Sequence, residues 1–344
     1  RVWIPKPGTE EKRPLGIPTM KDRALQALIK LALEPEWEAR FEPNSYGFRP
    51  GRSCQDAVEA IFNAIKQKPK YVLDADIAKC FDRINHNALL QKLNTFPKLR
   101  RVVKAWLQSG VMDNGTLFPT VTGTPQGGVA SPLLANIALH GLETTLVEQL
   151  SRRAGKTRSK VAPTVIRYAD DFVVLDEDAS VIQQAKDLTV TWLAGIGLEL
   201  KPSKTTISHT LHHYQGNVGF HFLGFTVRQV QVGKTHTGRN TRGRPLGFKT
   251  IIMPGKAQVS KHLATLKDVI RRHKAAPQVA LIQHLNPMIH GWANYYATVC
   301  SSRTFAKADH LLYLKLAAWA RRRHRRKNLY WIARRYWHVE QGTW

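Results

Sequence analysis

The chain of 344 residues is poor in cysteine, poor in acidic side chains and free of long apolar runs. Its three cysteines, Cys54, Cys80 and Cys300, lie far apart and form no C-x-x-C pair, which excludes a disulfide framework and predicts reduced thiols. Because no apolar stretch reaches about 18 residues, neither a membrane-spanning helix nor a membrane partner is expected. With 43% apolar and 22% charged residues, the chain is predicted to fold around a core.

The shortage of acidic residues is concentrated in one part of the chain. Overall, 52 Lys and Arg face 25 Asp and Glu, a formal net charge of +27. Residues 1–200 hold 27 basic and 22 acidic side chains, whereas residues 201–344 hold 25 basic and 3 acidic ones, a net charge of +22. A field of this strength suits a polyanion, and nucleic acid is the commonest polyanion in a cell. A merely solvated basic surface is the alternative.

The pattern of apolar residues predicts a mixed α+β protein with a helical C-terminal part. Residues 24–33 form an apolar helical stretch that we expect Pro35 to end. Residues 71–77 favour a strand, and residues 165–175 form two strand-like arms around an acidic centre, which is typical of a hairpin. From about Val259 onward the pattern is helical, with basic outer positions.

Carboxylates occur at two places where the surrounding residues are apolar. Asp74 and Asp76 share one face of the first predicted strand, because side chains alternate with period two. Asp170 and Asp171 lie at the centre of the predicted hairpin. Burying adjacent carboxylates without a cation is costly, and nucleotidyl transfer needs two divalent cations held by hard oxygen ligands. These residues are therefore candidates for a two-metal site. A polar hairpin tip is the alternative for Asp170 and Asp171.

Several short motifs surround these carboxylates and follow one another in a definite order. They are RPLGIP (13–18), YGFRPGRS (46–53), DIAKCFD (76–82), GTPQGG (123–128), YADD (168–171), GLELKPSKT (197–205), FLGF (222–225) and NPMIHGWANYY (286–296). Over nearly the whole chain they resemble the motifs of group II intron reverse transcriptases, which are also called maturases. The last motif is similar to the maturase thumb, which retroviral enzymes do not carry.

The resemblance implies a right-hand polymerase of the α+β class. Fingers and palm with an antiparallel sheet would occupy residues 1–228, a basic connecting loop residues 229–250, and an all-helical thumb, the maturase X domain, residues 251–344. A complete family member has an N-terminal extension, and many members add C-terminal DNA-binding and endonuclease domains. None of these is recognisable in the sequence, so we expect it to be a fragment of a longer protein.

Roles of individual residues follow from the matching positions in these motifs. The resemblance implies that Asp76, Asp170 and Asp171 are the catalytic carboxylates and the ligands of two Mg²⁺ ions. Phe81 matches the aromatic residue that excludes the 2′-hydroxyl of a ribonucleotide, which favours DNA synthesis; an ordinary core aromatic is the alternative. The residues implied at the incoming deoxynucleoside triphosphate are Lys6, Arg13, Ile77, Phe81, Gln126 and Lys204.

Two further groups of residues are implied to contact nucleic acid. The primer grip corresponds to Phe222, Leu223, Gly224 and Phe225, although two aromatic residues in a short turn are equally consistent with core packing. The helical end carries a basic cluster interleaved with aromatic side chains, most of which we expect to pack in the core. The cationic residues expected to contact phosphates are Arg321, Arg322, Arg323, Arg325, Arg326 and Lys327.

The predicted function is that of the RNA-directed DNA polymerase of a mobile group II intron. Its partners would be the intron RNA, an RNA template with a DNA primer or target DNA, and dNTPs. Binding of the intron RNA would assist splicing and retrohoming in a bacterial or organellar cytoplasm, with nucleoid association during action on DNA. Two alternatives remain: a splicing-only RNA-binding maturase, and a bacterial reverse transcriptase of another pathway, for example a CRISPR-associated one. The presence of all three aspartates and Phe81 disfavours the first.

Overall fold

A computed structural model of the protein describes residues 2–5, 12–124, 127–154, 159–233 and 235–337. The strands are β1 (Val2–Pro5), β2 (Lys12–Leu15), β3 (Tyr71–Asp76), β4 (Val111–Asp113), β5 (Thr116–Phe118), β6 (Arg152–Ala154), β7 (Ser159–Val161), β8 (Thr164–Tyr168), β9 (Asp171–Asp176), β10 (Thr206–His209), β11 (Phe220–Phe222), β12 (Phe225–Gln231) and β13 (Phe248–Pro254). The helices are α1 (Met20–Glu38), α2 (Cys54–Ile65), α3 (Cys80–Arg83), α4 (His86–Leu93), α5 (Pro97–Leu107), α6 (Ser131–Leu139), α7 (Leu142–Leu150), α8 (Ala179–Ala194), α9 (Lys256–Arg272), α10 (Gln278–Tyr296), α11 (Ser302–Arg323) and α12 (Leu329–Tyr336).

A four-stranded antiparallel sheet forms the centre of the N-terminal part. Its strand order is β10-β3-β9-β8, with β3 and β9 in the middle. The two inner strands are apolar on both faces, so Leu73 and Val174 pack on one side while Val72 and Val173 are equally buried on the other. Leu73 and Val174 belong to a core that also includes residues of α4 to α8. The predicted α+β class, the antiparallel sheet and the 165–175 hairpin are confirmed.

Helix α1 shows that one local prediction was wrong. Pro35 does not end the helix, which continues to Glu38 with Pro35 inside it. A proline within a helix removes one hydrogen bond and crowds the preceding turn, but Pro35 lies in the last turn and is exposed. Beyond it, Trp37 is buried against the core, and the Phe41 N–H donates to Trp37 O over 2.8 Å. Burial of Trp37 therefore stabilises the extra turn.

The chain divides into two compact units. The first comprises Arg1–Leu223 and Gln229–Thr250, and the second Gly224–Arg228 and Ile251–Trp344. Residues 229–250, expected as a connecting loop, belong to the first unit and contain the end of β12 and the start of β13. Buried Gln229 accounts for this, because its side-chain amide donates to Ile65 O and accepts from Thr210 Oγ1, each over 2.7 Å.

The second unit is built from the four helices α9 to α12. Its core contains Leu266, Leu281, Leu285 and Ile332, together with Trp319, whose indole N–H donates to His273 O over 2.9 Å. The helical pattern predicted from about Val259 is thereby confirmed. Among all helices in the described ranges, none is long and apolar enough to cross a membrane.

The cysteines provide a test of the packing of the first unit. Burial raises the pKa of the Cys80 thiol to about 12, whereas Cys300 is exposed. Because the thiolate is the reactive form, we expect iodoacetamide at pH 8 to alkylate Cys300 in the native protein and to reach Cys80 only after denaturation in guanidinium. Peptide mapping by mass spectrometry measures both. Rapid native alkylation of Cys80 would show that the core beside β3 is open.

Candidate active site

The YADD motif forms the tip of the β8–β9 hairpin. Tyr168 and Asp171 are paired across the two strands, so Ala169 and Asp170 form the two-residue turn. Ala169 has a φ of 56°, in the left-handed region that tight hairpin turns require. Asp170 and Asp171 therefore lie at the end of two strands whose other residues are largely buried.

Asp76 lies beside this tip on the neighbouring strand. In the register of β3 and β9, Asp76 is the direct partner of Asp171, and such partners have Cβ atoms about 5 Å apart. The Ile77 N–H donates to Asp170 O over 3.1 Å, which ties the end of β3 to the turn. The three carboxylates that the sequence predicted as one site are thus brought together.

Burial and neighbouring negative charges raise the pKa values of two carboxylates at this end of the sheet. Burial, followed by the charges of Asp170 and Asp76, raises the pKa of Asp171 to about 6. Burial and the charge of Asp171 raise the pKa of Asp74 to about 7. Lys204 acts in the opposite direction on both groups. Negative charge is concentrated here beyond what the surrounding groups neutralise, and a bound cation would stabilise it.

Lys204 supplies a positive charge beside these carboxylates. Its Nζ forms an ion pair and hydrogen bond with Asp76 Oδ2, which raises the pKa of Lys204. Asp76 is largely buried, so the pair fixes the direction of its carboxylate. Lys204, which was predicted at the triphosphate, lies beside the candidate metal-binding carboxylates, and its contact with a triphosphate stays a prediction.

The donor chemistry of the cluster fits a hard divalent cation, because carboxylate oxygens are the ligands that Mg²⁺ prefers. Within the described ranges, however, no group of three or more His, Cys, Asp or Glu side chains is already arranged to hold a metal ion. Asp76 Oδ2 is paired with the ammonium group of Lys204.

A buried arginine that sequence reasoning missed supports the hairpin. Arg167 lies in β8, and its guanidinium donates to Asn136 Oδ1 over 3.1 Å, Ala169 O over 3.2 Å and Ser45 Oγ over 2.7 Å. The signal in the sequence was an arginine inside the apolar run VIRY, where strand alternation already places it among buried residues. Arg167 holds the turn that carries Asp170.

The YGFRPGRS motif is packed directly on the same turn. Tyr46 N–H donates to Arg167 O over 2.9 Å, and Arg167 N–H donates to Asn44 O over 2.9 Å. A Cβ atom added to Gly47 would lie only 2.4 Å from Ala169 N, so there is no space for a side chain at this position. Glycine is therefore required where this loop crosses the hairpin tip, and this contact explains why the motif accompanies YADD.

The GTPQGG motif approaches two other motifs through its glycines. A Cβ on Gly127 would lie 2.5 Å from Gly16 O in the RPLGIP motif. A Cβ on Gly123 would lie 2.6 Å from the backbone of Phe81 and Asp82, and Thr124 N–H donates to Phe81 O over 2.6 Å. These close approaches bring the GTPQGG motif into contact with the RPLGIP motif and with the DIAKCFD motif, which are far from it in sequence.

The residues predicted to bind the triphosphate differ in how far the structure describes them. Phe81 is half-buried in α3, and Ile77 is buried, with its N–H donating to Asp170 O. Lys6 and Gln126 lie outside the described residues. Arg13 is placed in β2, opposite Ile4 of β1, but its side chain lies outside the description.

The predicted primer grip is a tight turn between β11 and β12. Leu223 and Gly224 have φ values of 48° and 82°, both in the left-handed region. Phe222 is buried in the first unit, while Phe225 is buried in the second and stacks on Tyr295 with ring centroids 5.3 Å apart. The aromatic rings are core residues, so a primer would meet the backbone of this turn.

The predicted basic cluster lies at the end of α11 and in the following turn of the second unit, and all six cationic residues are exposed. Two of them are also engaged within the unit. Arg323 lies 4.7 Å from the Trp319 ring and donates to Ala276 O over 2.6 Å, and Lys327 lies 5.4 Å from the Trp331 ring. Of the aromatics, Trp319 is buried, as expected, whereas Tyr330 is exposed.

Comparison with known families assigns the fold and the motifs. Residues 4–227 match the family "Reverse transcriptase (RNA-dependent DNA polymerase)", and residues 259–337 match "Group II intron, maturase-specific domain". The first match alone covers more than half of the chain, so the protein belongs to the reverse transcriptase family, and it carries the maturase-specific domain of group II introns. The predicted right-hand polymerase class is confirmed, and membership of this family implies a divalent metal cofactor.

The chain is similar to several known proteins. The chain is 26% identical over 385 residues to the group II intron-encoded protein LtrA of Lactococcus lactis, covering 91% of this chain and 62% of LtrA. It is 32% identical over 254 residues to the protein YkfC of Escherichia coli, covering 65% of each chain. A structure of telomerase from Candida albicans aligns with a TM-score of 0.44 and 14% identity, over 87% of this chain and 51% of that one. The chain therefore spans under two thirds of the length of these relatives.

The buried arginine leads to a stability prediction. Replacing Arg167 by Met leaves Asn136, Ser45 and the Ala169 carbonyl without their donor in a buried setting. We expect a loss of about 3 kcal/mol in the free energy of unfolding, measured by urea denaturation. The matched control Arg100→Met, on the exposed face of α5, should change it by less than about 0.5 kcal/mol. Equal midpoints for the two variants would show that Arg167 does not support the hairpin.

Proposed function

We propose that the protein is an RNA-directed DNA polymerase that copies RNA into cDNA by attack of a primer 3′-hydroxyl on the α-phosphate of a deoxynucleoside triphosphate. The observation that carries this proposal is the pairing of Asp76 with Asp171 beside the Asp170 turn, in a chain of the reverse transcriptase family. Burial and the charges of Asp170 and Asp76 raise the pKa of Asp171, and a bound cation would relieve this cost of keeping its carboxylate charged.

Asp76, Asp170 and Asp171 are the residues that would hold two Mg²⁺ ions. Bound there, the ions would activate the primer hydroxyl and neutralise the leaving pyrophosphate. Lys204, whose ammonium group pairs with Asp76 Oδ2, would supply positive charge to the leaving phosphates. Phe81 lies against the sugar and leaves no room for a 2′-hydroxyl. Lys6, Arg13 and Gln126 complete the nucleotide site, and the 222–225 turn supports the primer.

We further propose that the protein binds its own group II intron RNA and assists splicing and retrohoming, in a bacterial or organellar cytoplasm. The match of residues 259–337 to the maturase-specific domain supports this. The phosphate contacts would come from the cluster at residues 321–327, where Arg321, Arg322, Arg325 and Arg326 are exposed. A splicing-only protein would have no use for Asp76, Asp170, Asp171 and Phe81 in their present arrangement.

The polymerase is tested by removing one carboxylate. Asp170→Asn should abolish extension of a DNA primer on an RNA template with Mg²⁺ and dNTPs, a loss of at least about 10³-fold, because the amide cannot replace a charged metal ligand. Binding of the same primer–template should persist. The control Asp187→Asn, on the exposed side of α8, should extend normally. Firm RNA binding by the unaltered protein without any extension would favour the splicing-only alternative.

Sugar discrimination is tested at Phe81. Phe81→Ala should increase incorporation of ribonucleotides relative to deoxynucleotides, roughly tenfold or more in the ratio of kcat/KM values, because a pocket wall is removed. Single-nucleotide extension with matched dNTP and rNTP measures the ratio. An unchanged ratio would place the discrimination at a different residue.

A further inference from the structure

Phe48 is an exposed aromatic residue with an unusual backbone conformation. Half of its surface is exposed, yet its φ is 60°, in the left-handed region. A bulky side chain rarely adopts this region unless neighbouring contacts impose it. The ring does not enter the core. It meets Phe81 edge to face, with centroids 6.0 Å apart and an interplanar angle of 79°.

The residue before Phe48 is anchored to the candidate active site. Gly47 O accepts a hydrogen bond of 2.7 Å from the side-chain amide of Asn136, which is 1% exposed. Gly47 also packs on Ala169 N so closely that no Cβ could be added. Asn136 in turn receives the guanidinium of Arg167. The chain therefore enters Phe48 from a position set by the YADD turn.

The residue after Phe48 is anchored equally firmly. Arg49 is buried, and its guanidinium donates to both carboxylate oxygens of Glu38, to Glu42 O over 2.9 Å and to Ser45 O over 2.7 Å. Because the contacts of Gly47 and Arg49 fix the backbone on both sides of Phe48, these contacts impose its positive φ. The contacts of Gly47 and Arg49 therefore hold the Phe48 ring in a partly exposed position next to Phe81.

Phe81 has a fixed backbone and a partly exposed ring. Its carbonyl accepts from Thr124 N–H over 2.6 Å, and its neighbour Cys80 is buried. The ring packs partly against the core of the first unit, and its exposed part can move unless a second group restricts it. Edge-to-face aromatic pairs at this spacing are favourable. Contact with the Phe48 ring therefore restricts the motion of the Phe81 ring.

We propose that Phe48 is a positioning residue that holds the Phe81 ring in place and thereby determines how strongly the site discriminates deoxyribonucleotides from ribonucleotides. This inference rests on the proposed polymerase function and on Phe81 as the residue that meets the sugar. Phe48 acts through Phe81 and does not itself touch the reacting atoms.

The test uses Phe48→Gly, because glycine adopts a φ of 60° without strain and the variant removes the aromatic side chain. The readout is the ratio of kcat/KM for dNTP and matched rNTP in single-nucleotide extension, measured for the unaltered protein, Phe48→Gly, Phe81→Ala and the double variant. We expect Phe48→Gly to lower discrimination by roughly tenfold and to add nothing in the presence of Phe81→Ala. Phe48→Tyr, which keeps the ring, should retain discrimination.

A matched control and three outcomes make the test decisive. Phe96→Ala removes an exposed phenylalanine before α5 and should leave the ratio unchanged. The inference is overturned if Phe48→Gly leaves the ratio intact while Phe81→Ala changes it, or if the two effects multiply. A weaker affinity for primer–template with an intact ratio would also overturn it and would indicate that Phe48 contacts the template. Absence of any extension by the unaltered protein would instead refute the proposed function.

Discussion

The repulsion between carboxylates held on adjacent strands is the constraint that the rest of the first unit has to accommodate. Asp76 and Asp171 face each other in the register of β3 and β9, and Asp170 follows in the turn. Left to themselves, such groups would move apart or take up protons, and the raised pKa of Asp171 reflects this tendency. The apolar interiors of both strands prevent separation, because a register shift would expose residues that are now fully buried.

Buried polar contacts complete the support that hydrophobic packing begins. Arg167, Asn136 and Arg49 are each buried, and each has hydrogen-bond partners from separate segments of the chain. Apolar contacts are not directional, whereas the hydrogen bonds of a guanidinium group require its several acceptors to lie at specific positions. These three residues join the 44–49 loop, α6 and the hairpin into one frame. The exposed ring of Phe48 is placed by that frame beside Phe81.

Charged side chains contribute to the packing of both units. In the first unit, individual ion pairs such as Lys204 with Asp76 and Arg49 with Glu38 place charges at specific atoms. In the second unit, cationic residues lie along helix surfaces, and some of them also cover aromatic rings, as Arg323 does with Trp319. Some of the positive charge of the second unit therefore stabilises its small helical core, besides the phosphate contacts that we propose for it.

Much of the fold and the identity of the candidate carboxylates could be predicted from the sequence. Strand period, turn-forming residues and the order of the motifs are local properties, so the antiparallel hairpin with Asp170 at its tip and the helical C-terminal part were accessible without coordinates. The extent of α1 was not, because burial of Trp37 beyond Pro35 overrides a local breaker. Nor was the placement of residues 229–250, which depends on the buried hydrogen bonds of Gln229.

The sequence by itself determined which residues are candidates for the chemistry: the aspartates and the basic cluster stand out by type and spacing, and Phe81 by the resemblance of its motif to that of reverse transcriptases. Only the tertiary structure decided what holds them in place. Arg167, Asn136 and the unusual backbone of Phe48 acquire their importance from contacts between segments more than 80 residues apart. No local pattern records such contacts, because the partners of a buried polar group are set by how the whole chain packs.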